Sequence, residues 1–179
     1  LATGNLTADA LAMTALLALY SGSGRDGAAA KAGIASLGRY HGAPTGAFAA
    51  DPYLAGRDPA RAVDLPGLCA QVEALGEVLA AGGNLSWADR LEMLLVNGLA
   101  DLVMEDGVRV LQPVNRLTGD DSCQAAPPEP QDTALLLRAL YALRRSVWMA
   151  READEIALLL PMTGGCLTRV GGATLRLTA

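Results

Sequence analysis

The chain has 179 residues, 51% of them hydrophobic, which suits one ordinary domain with a real core. Its 14 basic and 19 acidic residues give a net charge of −5, and the basic ones are scattered, which argues against binding to a phosphate backbone and excludes nucleic acid as an expected partner. Aromatic residues are only 4% while Ala, Leu and Gly abound, so a core of closely packed aliphatic helices is expected.

In chain order, the first periodic segment runs from Thr7 to Tyr20, with Asn5 or Thr7 as its N-cap, and ends at Ser21-Gly22-Ser23-Gly24. Its apolar run from Ala8 has no preceding Lys or Arg and is too short to span a bilayer, so it is read as a core helix and no membrane partner is expected. A second helix, Asp26 to Tyr40, completes a hairpin and stops at His41-Gly42. From Gly42 to Pro66 repeated Pro and Gly predict a long loop. Helical periodicity resumes from Leu68 to about Ala81, stops at Gly82-Gly83, and returns after a Ser86 cap from Trp87 to Met104, with Trp87, Leu91, Leu94, Leu95, Gly98 and Leu102 as the apolar stripe.

A short alternating segment follows at Val108 to Leu111, then an irregular stretch from Pro113 to Pro130. A fifth helix from about Asp132 to Ala150 is expected to bury Leu136, Leu140, Leu143 and Val147 and expose Arg138, Arg144 and Arg145. The tail reads as strands: Glu155 to Leu160, then Cys166 to Val170 and Ala173 to Leu177 around a Gly171-Gly172 turn, pairing Val170 with Ala173, Thr168 with Leu175 and Cys166 with Leu177. Two helical hairpins, an extra helix and a partial sheet leave apolar faces without a partner, and the tail reads as the opening strands of a β domain.

The three cysteines, Cys69, Cys123 and Cys166, are odd in number and widely spaced, which argues against a disulfide framework and for a reducing, cytoplasmic setting. The chemically informative set is Asp51 in the long loop, Cys69, Glu73 and Glu77 at i, i+4 and i+8 on one helix, and Ser122-Cys123 in the second loop. Thiols beside a carboxylate are the donors zinc takes, and a nearby cation lowers a thiol pKa enough to make a nucleophile, although the chain has neither a C-x-x-C nor an H-x-x-x-H pair. His41, the single histidine, reads as a helix-end residue rather than a triad member, Glu73 and Glu77 taken alone as a solvated face, and Asp120-Asp121 as a polar turn. Neither Gly164-Gly165 nor Gly171-Gly172 precedes a helix as a phosphate loop does, so no nucleotide site is expected.

The order of Thr45-Gly46-Ala47-Phe48, Asp51, Leu65-Pro66-Gly67-Leu68-Cys69-Ala70-Gln71-Val72-Glu73-Ala74, Trp87-Ala88-Asp89-Arg90-Leu91-Glu92 and Asn97-Gly98-Leu99 resembles the bacterial β-L-arabinofuranosidase family of glycoside hydrolases. Gln112-Pro113-Val114-Asn115, Ser122-Cys123, Ser146-Val147-Trp148-Met149-Ala150 and Val170-Gly171-Gly172 continue that order, so the resemblance covers most of the chain, with Trp87 to Glu92 its best local match. It implies a mainly α fold: part of an (α/α) six-hairpin toroid over residues 1–150, its second half, followed by the start of a β-sandwich over 151–179.

It also implies retaining hydrolysis of β-L-arabinofuranosides, with zinc held by a Glu-x-Cys element and a Cys-Cys pair, one thiolate attacking the anomeric carbon and a glutamate as acid/base. Carried over by position, the ligand Glu falls on Gly67, its partner on Cys69, and the Cys-Cys pair on Ser122-Cys123. Cys69 and Cys123 are thus the expected zinc ligands, and Ser122 stands at the nucleophile position; sliding by one makes Cys123 the nucleophile and Gln124 the missing ligand. Asp51 is the nearest carboxylate to the unplaced acid/base residue. The expected function is a truncated, degenerate relative with impaired or lost zinc-thiolate chemistry, binding sugar between loops 42–66 and 113–130 with Asp51, Glu73, Ser122 and Cys123 lining the cleft. The alternative is a non-catalytic helical scaffold that completes its core by homo-oligomerisation or by pairing with a missing N-terminal half.

Overall fold

A computed structural model describes residues 4–49, 56–58, 62–82, 84–100, 103–104, 107–108, 111–113, 129–151, 155–160, 165–170 and 173–178. The fold is mainly helical with a short strand segment at the C-terminus, and no helix among the described residues is long and apolar enough to cross a membrane.

Helix α1 (Gly4–Ser21) and helix α2 (Gly24–His41) form the first hairpin. The expected cap at Asn5 or Thr7 is not found, since both residues lie inside α1. α2 starts two residues earlier than its periodicity suggests because Ser23 caps it, its side chain accepting from Asp26 N. Helix α3 (Leu65–Gly82) follows strand β1 (Ala62–Asp64) and ends at the expected glycine. It is buried on nearly every side, from Leu65 and Leu68 through Val72 and Leu75 to Leu79, as a helix apolar around its whole circumference must be.

Helix α4 (Leu85–Leu94) is capped by Asn84 rather than Ser86: the Asn84 side chain accepts from Ser86 N. The continuous helix expected to Met104 is also not found. A π-helical turn, Leu95–Leu99, widens the coil after Leu94, and strand β2 (Val103–Met104) pairs with β3 (Gly107–Val108). In that turn a Cβ on Gly98 would lie 2.9 Å from Leu68 Cδ2, so the glycine lets the backbone sit directly on α3. Strand β4 (Leu111–Pro113) pairs antiparallel with β1, a strand inside what the sequence predicts as loop.

Helix α5 (Pro130–Val147) opens on a capping box between Glu129 and Asp132 and stops three residues short of the expected end, because Trp148 turns extended and starts β5 (Trp148–Arg151), which pairs with β6 (Glu155–Leu158). Its buried face includes Leu143 and Val147, as expected, with Leu136 partly buried against the core, but not Leu140. Ala139, Ala142, Leu143, Ser146 and Val147 pack inward while Leu140 is 44% exposed, since small side chains let α5 approach α3 closely. The terminal hairpin β7 (Gly165–Val170) and β8 (Ala173–Thr178) has the predicted register, including Val170 opposite Ala173 and Cys166 opposite Leu177.

The helices form two layers. α3 packs between α1 and α5, using Ala8, Ala12 and Ala15 of α1 as its close-packing face, while α2 lies against α1 and α3, and α4 against α3. Pairing Glu73 with Arg138 and Glu77 with Arg145 shows that α3 and α5 run the same way. Gly27 meets Ala18 and Gly33 meets Leu11, so α2 runs back along α1. On the outside of the α1–α3–α5 row, Leu6, Met13, Leu17 and Tyr20 of α1 and Leu137, Leu140 and Tyr141 of α5 are exposed.

Candidate functional site

The open strip of α3 is its functional candidate. Gln71 faces the other layer, where its Oε1 accepts from Phe48 N at 3.0 Å and a gap of only about 10 Å³ separates it from Ile34 and Leu75. Glu73 and Glu77, one turn apart, emerge elsewhere, toward α5. Arg138 Nη2 donates to Glu73 Oε2 at 2.7 Å and Arg145 Nη1 to Glu77 Oε1 at 3.0 Å. The reading of these glutamates as a freely solvated face is therefore not found; each is mostly buried beneath its arginine, with side chains 18% and 12% exposed. Burial pushes the Glu73 carboxyl above its ordinary range even though Arg138 opposes the shift.

Cys69 lies one turn before Glu73, fully buried in the main core. Burial pushes its thiol up to about 12, and the negative charges of Glu73 and Asp64 add to the effect. A zinc ligand must be a thiolate, and in the absence of a metal ion this surrounding keeps Cys69 a thiol. Among the described residues no group of three or more His, Cys, Asp or Glu side chains converges as a metal site, and these residues alone do not supply a zinc ligand set. Gly67, where the resemblance places the ligand Glu, is buried, and a Cβ there would meet Asp64 Oδ1 at 2.5 Å. Asp64 occupies that space because Gly67 N donates to its Oδ1 at 2.9 Å, tying β1 to the first turn of α3.

Asp51, Ser122 and Cys123 lie outside the described residues, as do Asp120, Asp121 and Gln124. The ends of the segments that carry them are described. β4 ends at Pro113, opposite Ala62 and so close to the start of α3, and Asp132 in the first turn of α5 is near enough to act on the Cys69 thiol. Pro113 and the first turn of α5 thus both lie near the Cys69 end of the α3–α5 pair. Ala49 is buried, and Gly56 N donates to His41 Nδ1 at 3.2 Å, so His41 ties Gly56 to the end of α2.

Comparisons with family models, with curated proteins and with solved structures return no match.

Asp64, hidden in a predicted loop, escapes a sequence reading, as do the partners of the exposed Arg138 and Arg145, which are 65 and 68 residues away. Asp64 yields a test. Its carboxyl is raised by burial, against the Gly67 hydrogen bond, and Glu73 is raised too. A carboxyl raised on folding contributes stability that is fully present below its unfolded value, 3.8 for Asp64, and lost as pH rises through the folded value. Asp64→Asn keeps an oxygen for Gly67 N and removes the titration. In urea unfolding from pH 3 to 7, the stability of the variant relative to the parent is expected to rise with pH; a constant or falling difference would show that Asp64 is not held in this state.

Proposed function

We propose that the chain is a sector of an (α/α) toroid related to the β-L-arabinofuranosidase-type glycoside hydrolases, that it engages carbohydrate along the open strip of α3, and that its zinc-thiolate chemistry is lost or impaired. The observation that supports this best is the alternation of the helices. Odd-numbered α1, α3 and α5 form one row and even-numbered α2 and α4 pack behind it, the arrangement that consecutive hairpins of a toroid generate. In this reading the strip of α3 that carries Glu73 and Glu77, paired with Arg138 and Arg145 of α5, borders the cleft. Loss of the chemistry is supported by Gly67 and Asp64 filling the ligand-Glu position.

The test is zinc content and hydrolysis of an arabinofuranoside, on the intact chain and on a Cys69→Ala, Cys123→Ala double variant. The expected result is little zinc in either protein and no turnover, with binding of a β-L-arabinofuranoside retained by both. Stoichiometric zinc that the double variant loses, together with turnover, would show an intact catalytic centre, and failure to bind any arabinofuranoside would remove the carbohydrate reading. The second reading, a helical scaffold module, draws on the exposed apolar faces of α1 and α5. Self-association in sedimentation equilibrium without sugar binding would favour it.

A further inference from the structure

The α1–α3–α5 row stops at both ends on apolar surface. Lys31 of α2 meets Gly82, and Ile34 lines one gap with Leu75, so α2 runs against α3; α1, which runs against α2, therefore runs with α3 and α5. Heights across the row match as well: Asp9 is close enough to Glu73 to act on its carboxyl, and Glu73 pairs with Arg138. On α1, Leu6, Ala10, Met13, Leu17 and Tyr20 follow one another at alternating steps of four and three residues, a straight stripe on the side away from the Ala8, Ala12 and Ala15 face. All of them are exposed, and the large ones by 56% or more. Asp9 is the single charged residue of this helix. A helix facing solvent carries a charged or polar outer side, as do the end units of a stack that stops there, so the α1 stripe has the character of a covered surface.

α5 ends the row on the other side, with Leu137, Leu140 and Tyr141 exposed around the exposed Arg144. Three pairings of copies are available to these faces. α5 against α5 puts two Arg144 charges into one small apolar contact, and α1 against α1 leaves the α5 face bare. α5 of one copy against α1 of another covers both faces with a single kind of contact, and the uncharged α1 stripe sets no second cation against Arg144. That pairing also continues the packing already present in the row, a parallel helix laid on its neighbour: at matching height, Leu137 to Arg144 stand beside the middle of the Leu6 to Tyr20 stripe. We infer that a second copy of this chain docks its α5 face on the α1 stripe of the first, a head-to-tail contact. One helix laid on another covers less than the roughly 1,200 Å² of standard specific interfaces, so the chain is single in dilute solution and associates as it is concentrated. The contact gives the scaffold reading a specific form and does not depend on the carbohydrate one.

The experiment is sedimentation equilibrium over rising concentration on the intact chain, on Leu17→Glu, on Leu137→Glu, and on an equimolar mixture of the two variants. Each substitution puts a carboxylate into one face only, and both positions are more than half exposed, so both variants are expected to keep the cooperative melting of the parent. The parent is expected to rise from 18.4 kDa to at least twice that mass, while each variant alone stays at the mass of one chain. The mixture is expected to associate again and to stop at two chains, because the intact α5 face of the Leu17→Glu variant meets the intact α1 stripe of the Leu137→Glu variant. A mixture that stays single, or a variant that alone associates as the parent does, would overturn the head-to-tail contact and leave self-association, and with it the scaffold reading, in place. A parent that stays single at every concentration would overturn both the contact and the self-associating form of the scaffold reading, while the arabinofuranoside measurement above would still decide the carbohydrate reading separately.

Discussion

At pH 8, Cys69 is expected to react with iodoacetamide at least about a thousandfold more slowly in the folded chain than in the unfolded chain. The reagent attacks the thiolate, and a thiol moved from 9.0 to about 12 has roughly a thousandfold less of it at any pH below both values. The shift comes chiefly from burial, since Cys69 has no exposed surface, and the carboxylates of Glu73 and Asp64 on the same side add to it. Packing that excludes the reagent acts in the same direction. Peptide mapping by mass spectrometry separates Cys69 from Cys123 and Cys166 in one labelling time course. Equal rates in the folded and unfolded chain would mean that Cys69 is accessible and ionisable, and would return it to the list of nucleophile or metal-ligand candidates.

Leu68→Ala is expected to destabilise the fold by about 2–5 kcal/mol, the range for a large aliphatic side chain removed from a fully packed site. Leu68 is fully buried in the first turns of α3 and touches the backbone of the π-helical turn at Gly98, so its loss opens a void between two rigid segments that cannot collapse into it. Leu17→Ala on α1, 56% exposed on the outer face, is expected to cost no more than about 0.5 kcal/mol in the isolated chain. Urea unfolding of the two variants beside the parent makes the comparison. Similar losses for both would mean that α1's outer face is covered, by a second copy or by another chain.

Local signals carried much of the fold. Gly and Ser punctuation bounded α2 and the end of α3, and the Gly171-Gly172 turn with alternating residues on each side fixed the β7–β8 register, because hairpin register is set by the turn itself. What escaped was set by partners distant in the chain. β1 is three residues in a proline-rich stretch and exists because β4, almost 50 residues on, pairs with it. The break in α4 follows from Gly98 seating its backbone on Leu68, a contact that periodicity cannot report. In α5 Leu143 and Val147 lie in the core as the periodicity indicates, whereas Leu140 is exposed and the smaller Ala139, Ala142 and Ser146 face inward, where the close approach to α3 suits small side chains.

The candidate site divides along the same line. The i, i+4 spacing of Glu73 and Glu77 correctly put both carboxylates on one strip, and Cys69 one turn before them. The arginines that cover them come from another helix, and the burial that raises the Cys69 thiol depends on what surrounds α3 on all sides.

The decisive measurement is a calorimetric titration of the intact chain with methyl β-L-arabinofuranoside, with zinc content and product formation followed on the same sample. Saturable heat with little zinc and no cleavage is the expected result for a carbohydrate-binding toroid sector without its thiolate chemistry. A flat titration would contradict the carbohydrate reading itself, and stoichiometric zinc with cleavage would contradict the loss of catalysis.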